Sequence, residues 1–311
     1  MDLKEKYEKQ GPIRFEDLGV DYHEINIGYN DEYSKLESVA IHIPRYKEVV
    51  VTDPSSVMFK STPNYEKLLY EIDEYRKLLK SLSIKVYDDA QFKDADIYGP
   101  FHNLVYMRDL AVITPDRLIL ANPKYDVRKG EQEIMLATLR RNGYTGGYLD
   151  LPNDVTMEGA DFFWINENEV IISVGNRTSI EFAELFSKLY PKINVRTVEA
   201  APEGIPQHIL GGAHIVDKDT IIQRKAIVKH DLGFKNVIEL EETDEVVNNY
   251  SMNIVTVGPM EIIMPAGNPN TKAIYESHGI KVHETPCFEL GKMGGAIACG
   301  TLPIKRERNE D

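Results

Sequence analysis

The sequence predicts an α/β fold in which a strand, strand, helix, strand unit recurs about five times and closes into a ring. Four segments share one pattern of apolar run, short polar turn and second apolar run: LAVITPDRLILAN (110–122), DFFWINENEVIISVG (161–175), AHIVDKDTIIQRK (213–225) and MNIVTVGPMEIIMPAG (252–267). Their turns begin at Thr114, Ile165, Val216 and Val257, at intervals of 51, 51 and 41 residues. Most are followed by a helical stretch and a further short strand. One such unit cannot bury its own sheet face, so neighbouring copies must pack together. A ring leaves few sheet edges exposed, although periodicity alone also allows an ordinary open α/β sheet.

Each element has its own local signal. The paired runs are rich in β-branched residues around turn-forming ones, which reads as hairpins. A fifth, less clean copy starts at SVAIHIPRYKEVVV (38–51). In residues 64–82, Leu68, Leu69, Ile72, Tyr75, Leu78, Leu79 and Leu82 form one helical stripe, and the strand-like IKVYDD follows. RKGEQEIMLATLRRNGY leads to YLDLP, SIEFAELFSKLYP to INVRTVEA, and NTKAIYESHG to IKVHETP. Residues 226–250 are less regular and predict no clear helix. The first 35 or so residues lie outside the repeat, as an N-terminal extension that could be a strap, a lid or an interface arm.

Composition is that of an ordinary globular chain, with 42% hydrophobic and 28% charged residues among 311. The net charge of −14 argues against nucleic acid and anionic membrane as partners and suits a small cationic ligand. No apolar run approaches the length of a membrane span, and the charged N-terminus lacks a signal-peptide core. Cys287 and Cys299 form neither a disulfide framework nor a C-x-x-C pair. The expectation is a cytoplasmic enzyme with one thiol of interest. P-loop, G-x-G-x-x-G, G-x-S-x-G and H-E-x-x-H motifs are missing from the sequence.

On a ring, functional side chains recur near the same end of each unit. Four polar segments do so: FHNLVYMRD (101–109), MEGAD (157–161), PQHILGG (206–212) and MGGAIACGT (293–301). Paired glycines allow close backbone approach, and Cys299 follows them among small residues. A thiolate there is a strong nucleophile if a cation lowers its pKa; a buried structural cysteine is the plain alternative, and Cys287 suits that role. His208 is the natural general acid and base, with His214 as a nearby competitor. Glu158 and Asp161 could orient that histidine or hold a cation, or simply form an acidic turn. Asp109, taken singly, reads as a strand-end ion pair.

Taken in this order, the segments resemble the guanidine-modifying enzymes, a superfamily of arginine deiminases, dimethylarginine dimethylaminohydrolases and amidinotransferases. The resemblance runs from SVAIHIP to CGTLPIKRE and implies the pentein fold, a five-bladed α/β propeller, with residues 1–311 as one catalytic domain and 1–35 as its extension or strap. NLVYMRD is similar to the deiminases' Asn-x-x-Phe-Thr-Arg-Asp segment, implying Asp109 as the carboxylate that grips a guanidinium. EGAD is similar to Glu-Gly-Gly-Asp, implying that Glu158 pairs with the catalytic histidine and that Asp161 is a nearby carboxylate. IVDKD (215–219) matches a segment downstream of that histidine and so implies His208. GGAIACGTLPIKRE implies Cys299 as nucleophile. Arg128 in VRKGE and Arg177 in GNRTS match arginines that bind the substrate's α-carboxylate, a bidentate role guanidinium suits; surface salt bridges are their alternative.

Two departures bear on the substrate. Deiminases carry His-x-Asp, where this chain has His208-Ile209-Leu210, and an arginine before the closing glycines, where it has Lys292-Met293. Dimethylarginine dimethylaminohydrolases also lack an aspartate there, so the resemblance fits a guanidinium bearing alkyl groups or a differently shaped substrate. The resemblance therefore implies cysteine-dependent hydrolysis of L-arginine or an N-substituted arginine to citrulline, through a thiouronium-type intermediate, with no metal or organic cofactor. An amidinotransferase and a non-catalytic arginine-binding protein are the alternatives. The oligomeric state is left open, a homo-oligomer included.

Overall fold

The computed structural model describes residues 25–90, 100–200 and 208–307. Among them, fifteen strands form five separate three-stranded sheets. They are β1 (Leu36–Ala40), β2 (Lys85–Tyr87), β3 (Ala111–Ile113), β4 (Leu118–Leu120), β5 (Tyr148–Leu149), β6 (Phe162–Asn166), β7 (Glu169–Val174), β8 (Asn194–Glu199), β9 (Ala213–Ile215), β10 (Thr220–Arg224), β11 (Asn236–Leu240), β12 (Val255–Gly258), β13 (Glu261–Pro265), β14 (Lys281–Thr285) and β15 (Leu302–Arg306). In every sheet the middle strand pairs antiparallel with one neighbour and parallel with the other. The parallel partner needs a crossover, and helices Tyr65–Ser81, Glu131–Arg141, Ile180–Leu189 and Pro269–Ser277 provide it in four of the five. The predicted repeat is this blade.

Three expectations need correction or completion. Residues 38–51 are not a hairpin: β1 is followed at Pro44 by a bend into the short helix Tyr46–Val49. The antiparallel partner of β1 comes instead from the far end of the chain, with Val39 opposite Pro303 and Ala40 opposite Leu302. This pairing closes the ring, and Pro303 is tolerated because β15 is an edge strand of its sheet. The crossover between β10 and β11 carries no helix, in keeping with its irregular sequence. The N-terminal extension falls partly outside the described residues; in its described part, Gly28 N–H donates to Ile304 O (2.9 Å), and Glu32 accepts from Arg108 (3.1 Å) and the Trp164 N–H (3.3 Å).

The outer helix 65–81 shows how the core supports the site. Asn64 caps it by accepting from the Lys67 N–H at 3.0 Å. Leu68, Ile72, Tyr75 and Leu79 are buried, as their spacing requires, whereas Leu69, Leu78 and Leu82 are half-buried. Glu71 lies buried on the same stripe because its carboxylate has a task. It accepts from the N–H groups of Phe288 (2.9 Å), Glu289 (2.9 Å) and Leu290 (3.2 Å), capping helix Phe288–Lys292. Glu289 returns the favour at 2.7 Å to the Asn64 N–H. This reciprocal cap fixes the segment that leads into Gly294, Gly295 and Cys299.

Replacing Glu71 with Ala leaves these buried donors unpaired, at about 2 kcal/mol. Chemical denaturation should read that loss. A change under about 0.5 kcal/mol would show that the cap carries no weight.

Candidate active site

Short turns immediately precede the first strand of each blade. They are Met107–Leu110, Gly159–Asp161, Ile209–Gly211 and Ile297–Gly300, before β3, β6, β9 and β15. They pack directly on one another. A Cβ on Gly159 would stand 2.2 Å from Ala111 O and 2.5 Å from Arg108 O, so only glycine lets these turns meet. A Cβ on Gly295 would strike the Tyr106 ring at 2.6 Å. The four polar segments singled out in the sequence are these turns.

Where they converge lies a cavity of about 470 Å³, lined by Asp109, Arg128, His208, Leu210 and Cys299 among others. Behind its wall sits Glu158, buried to 0% exposure. His208 Nε2 lies 2.7 Å from Glu158 Oε2, and Arg177 donates to both Glu158 oxygens at 3.1 Å. The Lys124 N–H adds a fourth contact at 3.2 Å. Burial alone would raise the Glu158 pKa, but His208, Arg128 and Arg177 outweigh it and hold the carboxyl well below the usual range. The same pairing works in reverse on the imidazole. Burial lowers its pKa, yet Asp109, Asp161 and Glu158 push it up to about 9, so His208 is a cation at neutral pH.

Asp109 presents two different oxygens. Oδ2 accepts from Arg128 Nη1 at 2.6 Å, while Oδ1, also buried, has no hydrogen-bond partner among the described residues. His208 Nδ1 is its nearest cation at 3.8 Å. A buried carboxylate oxygen without a donor is costly, and this one belongs to a cavity-lining residue. Asp109, Glu158 and His208 place ligand-type atoms within 4.8 Å of one another. A metal ion there would have to displace the pairs that Glu158 makes with His208 and Asp109 makes with Arg128.

Asp161 is not on the cavity wall. It accepts from Thr178 Oγ1 (2.9 Å) and the Ile209 N–H (3.2 Å), which clamps the turn bearing His208, and burial pushes its pKa up to about 7. Arg128 lines the cavity, but its guanidinium is turned onto Asp109 and, at 2.9 Å, Glu131. Arg177 stands behind the wall, on Glu158 and 4.4 Å over the Tyr125 ring. The structure thus brings Cys299, His208 and Asp109 to one cavity and gathers Glu158, Asp161, Arg128 and Arg177 as their support.

Sequence reasoning missed the turn of the fifth blade. Asn253 precedes β12 as the other turns precede their strands. Its Oδ1 accepts from the Ala298 N–H at 2.8 Å, which leaves Nδ2 to donate to Cys299 Sγ at 3.1 Å. SMN before IVTVG was readable by the rule that found the other four. Burial and Asp109 push the Cys299 thiol up to about 11, with Asn253 and Arg128 acting against them. Cys287, the candidate structural cysteine, is buried, and burial raises its pKa strongly.

The family model for arginine deiminase matches residues 56–208 and 212–306. The chain belongs to the arginine deiminase family. Similar proteins in the family's circle include a dimethylarginine dimethylaminohydrolase of Pseudomonas aeruginosa, 24% identical over 243 residues, 77% of this chain and 89% of that protein. An arginine deiminase of Lactococcus lactis subsp. lactis is 24% identical over 269 residues, 70% of this chain and 66% of that one. Among solved structures, the N-terminal domain of ArgZ, an arginine dihydrolase from cyanobacteria, superposes with a TM-score of 0.71 at 20% identity, covering 88% of this chain and 98% of that one. An amidinotransferase from Microseira wollei gives 0.69 at 13% identity, covering 92% and 99%. The shared architecture is the five-bladed pentein propeller that the resemblance implied, and the five three-stranded sheets are its blades.

Asn253→Ala should raise the Cys299 pKa further and slow its alkylation at fixed pH, because the hydrogen bond favours the thiolate. Thiolate ultraviolet absorbance against pH measures it. An unchanged titration would remove Asn253 from the thiol's control.

Proposed function

We propose that the chain is a cysteine-dependent hydrolase acting at the guanidino carbon of L-arginine or an N-substituted arginine, forming citrulline and ammonia or an amine. The observation that carries this reading is the meeting of Cys299, His208 and the unpartnered Asp109 Oδ1 at one cavity. A planar cation with N–H donors satisfies that oxygen and presents its electrophilic carbon to the sulfur. The family's relatives support the chemistry: the P. aeruginosa dimethylarginine dimethylaminohydrolase has been solved with citrulline.

On this reading, Asp109 holds the guanidinium and orients it. Cys299 loses its proton to solvent, and the thiolate attacks the guanidino carbon. His208, protonated at neutral pH and bound to Glu158 through Nε2, gives its Nδ1 proton to the departing nitrogen. The C–N bond breaks and a thiouronium remains on Cys299. Water then adds to that carbon and gives a proton to His208. The C–S bond breaks, the remaining hydroxyl proton passes to solvent, and citrulline and thiolate are released. Glu158 keeps the imidazole charged and oriented from behind. Asp161, Arg128 and Arg177 position that machinery. Leu210 lines the cavity beside His208 as an apolar wall, which suits an alkyl substituent on the guanidinium.

The test is citrulline formation by the reduced protein and its Cys299→Ala variant from L-arginine and N-methylated arginines, with no acceptor amine added. Wild type alone should form it. No ureido product from any of them sinks the hydrolase, and dependence on an added amine shows transfer. The rate should also show reverse protonation: the active pair is thiolate with imidazolium, although the thiol's pKa (about 11) lies above the histidine's (about 9). Below about 9 both groups hold protons, so kcat/KM rises with pH; above about 11 both have lost them, so it falls. A maximum near pH 6 would contradict the assignment.

A further inference from the structure

We infer that Lys60 is the cation that receives the substrate's carboxylate, and so selects a guanidino amino acid over the corresponding amine; the inference rests on the proposed reading of the cavity. Among the described residues, three cationic side chains besides His208 line it: Lys60, Arg128 and Arg224. Two are committed to protein carboxylates. Arg128 is held by Asp109 and Glu131, and Arg224 by Glu242, with Nε at 2.9 Å. Lys60 has no carboxylate within ion-pair reach among the described residues, and its ammonium stands 4.5 Å over the Tyr250 ring.

Its backbone is nonetheless fixed. The N–H groups of Lys60 and Ser61 donate to Lys292 O at 2.9 and 3.0 Å, tying this loop to the segment that carries Gly294, Gly295 and Cys299. The aromatic face holds the ammonium without neutralising it. Partial burial pulls the Lys60 pKa below that of an ordinary lysine, with no anion acting against it. The cavity is therefore lined both by a buried anion, Asp109, and by the exposed Lys60, a cation with no carboxylate in ion-pair reach among the described residues. L-Arginine carries the complementary charges at its two ends, whereas agmatine has the same guanidinium and no carboxylate.

Equilibrium titration separates this inference from the catalytic reading, because it needs no turnover. L-Arginine and agmatine are titrated calorimetrically into Cys299→Ala protein and into Cys299→Ala proteins that also carry Lys60→Met or Lys60→Arg. Lys60→Met should cut the arginine-to-agmatine affinity ratio by about tenfold or more, and Lys60→Arg should restore most of it. An unchanged ratio, an equal loss for both ligands, or no binding of either overturns the assignment. Lys60-dependent arginine binding to a protein whose wild type makes no citrulline sinks the hydrolase and leaves the carboxylate subsite standing.

Discussion

Taking Glu158 wholly out of water is the constraint around which the centre of this propeller is built. A lone carboxylate at 0% exposure would protonate rather than remain an anion. Here it is surrounded by His208, Arg177, Arg128 and a backbone N–H, which together outweigh the desolvation penalty. The anion so maintained joins Asp109 and Asp161 in keeping His208 charged. Glu158 also ties three blades together, because it precedes β6 while its partner Arg128 follows β4 and its partner His208 precedes β9. Removing Arg128 would disturb both the surroundings of this carboxylate and a junction of the blades.

That network depends on the turns meeting closely. Each lies just before the first strand of its blade, so a ring of five blades points five turns at one place. Gly159 and Gly295 remove the side chains that would hold them apart. Closure by β15 against β1 has a consequence beyond covering an edge: it carries the turn bearing Cys299 into register with the other four. Residues 25–35 reinforce this, since Glu32 bonds both Arg108 and the Trp164 backbone across two blades.

The repeat, the blade order and four of the five turns were legible because they depend on local patterns: β-branched runs, turn residues and helical stripes. The pairing of β1 was not, because it joins residues 36–40 to 302–306 and no local signal marks so distant a partner. The resemblance led to Cys299, His208, Glu158 and Asp109, and the geometry gathers them around one cavity. What the sequence could not give is which way a charged side chain turns. Arg128 and Arg177 suit a substrate carboxylate by residue type, yet both face buried protein carboxylates. Glu71 is a buried carboxylate on the apolar stripe of its helix. Its reason lies at Phe288, Glu289 and Leu290, more than two hundred residues away.

The thiol and the ligand are coupled through one residue. Asp109 is the nearby charge that most disfavours a thiolate at Cys299. It is also the group whose Oδ1 has no partner among the described residues. A guanidinium settling on Asp109 acts twice: it offsets the negative charge facing the sulfur, and it brings a positive charge of its own within reach. Asn253 helps but is neutral, and Arg128 is already shared among carboxylates. On the proposed reading, the cavity therefore keeps its nucleophile protonated until a cation of the right shape arrives. On that reading, the carboxylate proposed to recognise the substrate also shields the thiol from adventitious alkylation and oxidation, which need the thiolate.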